Sequence, residues 1–467
     1  MYYISFTFIN KRSHGSVVFF AALLLTVMSL AAVAQSDTPR SASPWAEAEV
    51  STFEIDGRVC TVVAPGERAD DAPWLLCANR PAADAVLEQQ LLAKGFHIVW
   101  LDVEDLYGNA AAVALWDAVY ARARDQFGLA AKPAIACRDH GALLAYNWAA
   151  QHSAQVACLY AETPWLRLEP TLDRRDDDSV SADAMKAHGV ETSEHNGTPM
   201  GQAALIGEAN IAVMHVYGPR RPGLPSDKDV QQFYAAYRMA GGRDYEGVVQ
   251  PQAAMGARTD TTIAAMVFLL SHTGHLSDAP LGAPIVGAPE WQVADFSGRA
   301  AVRVLDDVLV LEKGDDMTGI TCVDAPPRVN YEITLDAMRL SGGDFFCGLT
   351  APYKDTSFSL VVGGWGGTCV GISSLDWLDA YHNETARFRS FDDHRWYRIR
   401  LRVTEDTILA WIDGDEVVNI VVADRDVDIR WEMEPTNPLG IASWRTTGAV
   451  KNFNIRTFKE ITRASVR

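Results

Sequence analysis

With 467 residues, 48% of them hydrophobic and 22% charged, the chain is long enough to bury cores in about two or three domains of ordinary size. A formal charge of −19 at pH 7 excludes nucleic acid and anionic lipid as general partners, because phosphate binding needs basic patches that release counterions. At the N-terminus Lys11 and Arg12 precede an apolar run over 17–30, and Ala32-Val33-Ala34 supplies small residues at a cleavage point. Residues 1–34 therefore read as an export signal, with Gln35 as the mature start and a secreted or periplasmic destination. The alternative is a membrane anchor, since the run is just long enough to span a bilayer if it stays uncleaved.

Residues 35–52, largely rich in Ser, Pro and Ala, read as a leader. From 53 to 275 short apolar runs alternate with helical periods. Strands are expected at 60–63, 74–78, 96–102, 134–137, 156–161, 211–217 and 245–250, and helices at 84–93, 110–127, 141–152, 229–239 and 261–270. Such alternation predicts a doubly wound, mainly parallel sheet covered on both faces. The stretch 164–210 interrupts the rhythm with charged and small polar residues and is the expected place of a lid or cap. Residues 276–289, rich in Pro and Gly, read as a linker. Beyond it, over 290–460, helical periods vanish. Alternating strands at 331–335, 358–362, 397–403, 408–412 and 452–457, with turns such as Asp413-Gly414, predict a two-sheet β-sandwich or jelly roll.

All seven cysteines (Cys60, Cys77, Cys137, Cys158, Cys322, Cys347 and Cys369) follow the expected cleavage point, where disulfides can form. Cys77 and Cys137 fall near strand ends, and Cys347 and Cys369 in neighbouring β segments. Cys137 and Cys158, set in continuous apolar runs, read as buried free thiols. No cysteine pair has metal-ligand spacing with histidines, so no structural zinc and no cofactor are expected.

The run Pro133-Ala134-Ile135-Ala136-Cys137-Arg138-Asp139-His140-Gly141 carries an apolar strand through a tight turn into a helix. That geometry presents one side chain at the top of a sheet for attack on an ester or amide. Together with Gly95-Phe96-His97-Ile98-Val99-Trp100-Leu101-Asp102, Asp105-Leu106-Tyr107-Gly108 and Ala145-Tyr146-Asn147-Trp148, it resembles a secreted bacterial branch of the α/β-hydrolase superfamily over about residues 60–273. The resemblance implies an α/β-hydrolase-type sheet and a Ser-Asp-His triad. On that pattern Asp139 stands at the serine, Cys137 and Gly141 at the flanking glycines, and His140 at an arginine. Arg221 stands at the acid, and Met255 lies in the stretch where the histidine belongs. No histidine occurs between His215 and His272. An aspartate nucleophile, as in haloalkane dehalogenases and epoxide hydrolases, needs an imidazole to hydrolyse its ester intermediate. The domain therefore reads as catalytically degenerate, with Asp139 capping the following helix. Recruitment of His140, His188 or His195 as a base is the alternative.

Further on, Gly342-Gly343-Asp344-Phe345-Phe346-Cys347-Gly348-Leu349, Val362-Gly363-Gly364-Trp365-Gly366-Gly367, Arg395-Trp396-Tyr397-Arg398-Ile399 and Trp411-Ile412-Asp413-Gly414 resemble the concanavalin-like jelly roll of 3-keto-disaccharide hydrolase-like domains and laminin-G-like modules, over about residues 290–460. Around the glycine-rich strand, Trp365 and Trp444 are candidates to stack on a sugar ring. Asp376, Trp377, Asp379, His382 and Glu384 crowd one loop, with carboxylates enough for sugar hydroxyls or a hard cation. Two functions compete: an exported carbohydrate-binding protein with a degenerate hydrolase domain, and an enzyme, either a glycoside-processing jelly roll or a hydrolase using Asp139.

Overall fold

The computed structural model describes residues 45, 48–82, 85–168, 178–189, 197–218, 227–249, 260–276 and 290–458. Residues 1–34, read as an export signal, most of the expected linker, Arg221, Met255 and His195 lie outside the described residues. No helix among the described residues is long and apolar enough to cross a membrane.

The first half is built on one sheet. β1 (Glu49–Ile55) and β2 (Arg58–Ala64) form an antiparallel hairpin. β3 (Trp74–Cys77), β4 (His97–Leu101), β5 (Ala134–Arg138), β6 (Cys158–Glu162), β7 (Ala212–Tyr217) and β8 (Tyr245–Val249) follow. The order is β1-β2-β4-β3-β5-β6-β7-β8, with β2 antiparallel to β4 and every later pairing parallel. Strands such as β3 and β4 are buried at every residue, as a sheet covered on both faces requires. The covering helices are α1 (Val86–Ala93), α2 (Ala110–Asp125), α3 (Gly141–Gln151), α4 (Asp178–His188), α5 (Pro199–Glu208), α6 (Asp227–Met239) and α7 (Thr262–Thr273). This is an α/β-hydrolase-type sheet.

Local chemistry sets the helix ends. Asn109 opens α2 by accepting from the N–H groups of Ala111 and Ala112 at 3.1 Å. Thr198 opens α5 through Gly201 N, with Pro199 in the first turn. One expectation shifts. Glu49–Thr52 belong to β1 rather than to a leader, because the alternating segment pairs with β2 along its length. The stretch 164–210, the expected place of a lid or cap, holds α4 and α5.

The second half is all β: β9 (Trp291–Val293), β10 (Val302–Leu305), β11 (Val308–Leu311), β12 (Met317–Cys322), β13 (Tyr331–Gly342), β14 (Cys347–Tyr353), β15 (Thr356–Gly363), β16 (Cys369–Ser373) and β17 (Arg387–Phe388). β18 (Tyr397–Val403), β19 (Thr407–Ile412), β20 (Asp415–Val421), β21 (Gly440–Trp444) and β22 (Thr446–Thr457) complete it. They form two antiparallel seven-stranded sheets, ordered β10-β11-β22-β13-β18-β19-β20 and β17-β16-β15-β14-β21-β12-β9. Ile333, Leu335, Ile399 and Leu401 of the first sheet share one buried cluster with Leu349, Phe358, Leu360 and Val362 of the second, which makes a β-sandwich. Alternation along β15 sends Phe358, Leu360 and Val362 into that core and leaves Ser359 and Val361 on the opposite face.

All seven cysteines are free and buried. β15 lies between Cys347 and Cys369, so they are not on adjacent strands.

Half-buried Glu246 on β8 is the fold's one carboxyl lifted close to neutrality among the described residues: burial, helped by the Asp244 carboxylate, pushes it up to about 7. His272 bonds Asp244 beside it at 2.7 Å. A raised carboxyl favours the protonated form in the fold, so its stabilisation is full below the unfolded value and is lost as pH rises through 7. Glu246→Gln should add about 1–2 kcal/mol at pH 8 and close to nothing at pH 4.5. Denaturant unfolding at both pH values measures it, and equal gains would contradict the assignment.

Candidate functional site

The elbow keeps its backbone shape. Asp139 sits between β5 and α3 with φ of 46°, in the left-handed region that aspartate and asparagine enter more readily than other residues with side chains. Its N–H donates to Glu162 O at 3.2 Å and its O accepts from Trp165 N at 2.9 Å. The exposed carboxylate accepts from Thr163 Oγ1 at 2.9 Å. The expectation that Asp139 caps α3 is corrected: the N-cap is His140, which makes no side-chain cap bond.

Asp139 opens onto a cleft of about 410 Å³ with Glu88, Arg138, Tyr160, Glu162 and Thr163. Arg138 fills it with charge, reaching Glu162 at 3.1 Å and Glu88 at 3.0 Å. Among the described residues no histidine lines this cleft. His140, next along the chain, is engaged elsewhere: its Nε2 is 3.7 Å from Glu104 Oε2 and its ring lies against Tyr107 and Trp165. That contact and Asn79 hold the Glu104 carboxyl below its ordinary value. His188 Nε2 lies 2.7 Å from Tyr107 O.

The sandwich carries a second and more elaborate hollow. On the outer face of the β17-to-β9 sheet a groove of about 370 Å³ is lined by Trp365, Trp444, Asp344, Asp379, Arg430 and Glu432, over a floor that includes Phe345, Ser359, Val361 and Ser373. Trp444, the last residue of β21, packs on Phe345 at 6.3 Å. Trp365 stands on the turn after β15, where Gly363, Trp365, Gly366 and Gly367 all have positive φ. Gly367 is needed there because its φ of 95° is a conformation that residues with side chains rarely adopt, and a Cβ would also press on Gly343 O at 3.3 Å. Asp344 ties the turn down by accepting from Gly366 N at 3.3 Å.

Arg430 is the groove's cation. It reaches Asp379 Oδ2 at 3.2 Å and Glu432 Oε1 at 2.5 Å. Burial is the largest influence on Glu432 and lifts it, but the hydrogen bond and charge of Arg430, together with a backbone hydrogen bond, outweigh it and hold the carboxyl below its ordinary value. Ser373 Oγ, buried in the floor, has no hydrogen-bond partner among the described residues. The groove thus offers two indole faces, ionised acceptors, one guanidinium and an unused hydroxyl.

Of the residues expected to bind sugar, the structure brings Trp365, Asp379 and Trp444 together in the groove. It does not bring the rest. Arg425 clamps Asp376 and Glu384 at 2.5 Å each, holding both carboxyls below their usual range. His382 leans on Asp379 at 2.8 Å, and Trp377 is 78% exposed on the loop surface. The hard-cation reading of this loop is corrected: the arginines take up the carboxylates, and no group of His, Cys, Asp or Glu among the described residues could hold a metal. Sequence reasoning missed Asp344, Ser373, Arg430 and Glu432 as site residues, because they come from segments far apart in the chain.

No family model matches the chain, and no curated protein matches it. Among solved structures, the first half is similar to a bacterial membrane phospholipase A described as a virulence factor, at 13% identity and a TM-score of 0.36 over 55% of this chain and 99% of that one. An esterase is similar at 16% and 0.37, covering 56% and 87%. A lipase/esterase from Lactobacillus plantarum is similar at 11% and 0.36, covering 50% and 100%. Likeness at this level carries nothing about substrate.

Proposed function

We propose that the chain is an exported carbohydrate-binding protein whose sandwich groove takes a sugar and whose α/β domain does not run triad hydrolysis. The observation that carries this reading is the groove, with Trp365 and Trp444 beside paired charges and an unpartnered buried hydroxyl. A sugar ring has an apolar C–H face and a rim of hydroxyls; indoles suit the first, and charged donors and acceptors the second. Glu432, kept ionised by Arg430, is a poor general acid, which favours binding over glycoside cleavage. Export rests on the sequence of residues 1–34. Glycan-array binding by the mature chain tests the proposal: signal on a sugar family is expected, and silence on every glycan overturns it.

A second reading, ester hydrolysis through Asp139, draws support from the positive φ at the elbow and its opening onto a cleft. Against it stand a cleft whose lining among the described residues holds no histidine, and the sequence of 250–259, which contains none. Turnover of p-nitrophenyl acetate should not exceed the protein-free rate in either the natural chain or Asp139→Ala. Turnover that disappears in Asp139→Ala would establish the hydrolase instead.

A further inference from the structure

We infer that the groove is one end of a longer binding track, continued by Trp365, Tyr381 and Phe388, and that its ligand is a flexible oligosaccharide chain rather than a single sugar or a flat crystalline surface. This rests on the groove being a sugar site. Exposed apolar side chains on a soluble protein are usually scattered singly. Here three aromatic rings in succession are 39%, 45% and 61% exposed, with centroids 6.0 Å apart from Trp365 to Tyr381 and 5.4 Å from Tyr381 to Phe388.

The row is continuous with the groove at two points. Trp365 lines the groove itself. Asp379, also in the lining, accepts from Tyr381 N at 3.0 Å and so fixes the backbone that carries the middle ring. Phe388 ends the row on β17, the edge strand of the same sheet. On the same segment His382, edge-on to Tyr381 at 5.1 Å, and the exposed Glu384 and Arg387 supply polar groups that suit a hydroxyl-rich ligand.

Ring orientation narrows the ligand further. A flat polysaccharide surface needs coplanar rings. Tyr381 is tilted 35° from Trp365, and Phe388 stands at 75° to Tyr381. Successive faces therefore point in different directions, and only a chain that turns between its sugar units meets all three.

The test titrates the mature chain calorimetrically with cello-, laminari- and xylo-oligosaccharides from disaccharide to hexasaccharide, alongside Tyr381→Ala and Phe388→Ala. Both side chains are exposed, so both variants should fold, checked by circular dichroism. For the series that binds, the hexasaccharide should bind the natural chain about tenfold more tightly than the disaccharide, and Tyr381→Ala should abolish that advantage while changing disaccharide affinity less than about twofold. Tyr381→Phe should retain it. Equal affinity for both lengths, unchanged in Tyr381→Ala, overturns the track and leaves the groove standing. Loss of both lengths together in Tyr381→Ala also overturns it, since the ring would then belong to the primary site. Failure of every sugar to bind the natural chain removes the groove reading and the track with it.

Discussion

Gly108→Ala should lower folding stability by about 3–5 kcal/mol, among the largest losses expected of any single methyl group in the chain. Gly108 has φ of 71°, where a side chain is strained, and it is buried against the first turns of α3. A Cβ there would stand 2.3 Å from Leu144 N and 2.5 Å from Leu143 C. Both are backbone atoms of a helix packed on the sheet, so neither can yield as a flexible side chain would. Gly108 O also accepts from the buried Asn147 amide at 2.9 Å, and displacing the loop would leave one of that amide's two N–H groups unpaired, the other going to Gly197 O. Urea unfolding followed by tryptophan fluorescence gives the loss. A change below about 1 kcal/mol would mean that the loop is free to move off α3.

Trp444→Ala should weaken sugar binding about thirtyfold, equivalent to about 2 kcal/mol, with little change in the fold. Trp444 is half-buried, packs on Phe345 and lies under the Arg445 guanidinium at 5.7 Å, so its face is held in place before any ligand arrives. Preorganised aromatic area of this kind carries much of the energy of an interface. Trp377→Ala is the matched control: that indole is 78% exposed and outside the groove lining, and its removal should leave affinity unchanged. Titration of both variants with the same oligosaccharide distinguishes them. Equal losses, or none in Trp444→Ala, would remove Trp444 from the site.

The α/β half was legible because each core strand is a short continuous apolar run and each helix a longer periodic one. The run 134–137 became β5 and 141–152 became α3 almost residue for residue. β1 was harder to read because Glu49–Ile55 is mostly exposed and alternates weakly, its place fixed by pairing with β2 instead of by burial. α5 carried its own signal, the Thr198-Pro199 start, but lay inside a stretch read only as a lid or cap, with no helix assigned to it.

The site was legible only in part. Asp139 was identified from its position in the motif, while its bond to Thr163 follows from β6 lying beside β5 and no spacing reveals it. That Trp365 and Trp444 would share one face was foreseeable because indoles near glycine-rich strands are conspicuous, and both line the groove. Asp376 and Glu384 misled, since their density in one loop resembled a ligand set until Arg425, 41 residues beyond Glu384, closed on both. Asp344, Arg430 and Glu432 meet only when the sheet folds.

The most direct measurement is a crystal structure of the mature chain with a bound oligosaccharide. A sugar ring stacked on Trp444, with hydroxyls bonded among Asp379, Arg430 and Glu432, is the expected result. Sugar seated in the cleft beside Asp139, with the sandwich groove empty, would contradict sugar recognition by the sandwich and return the chemistry to the elbow.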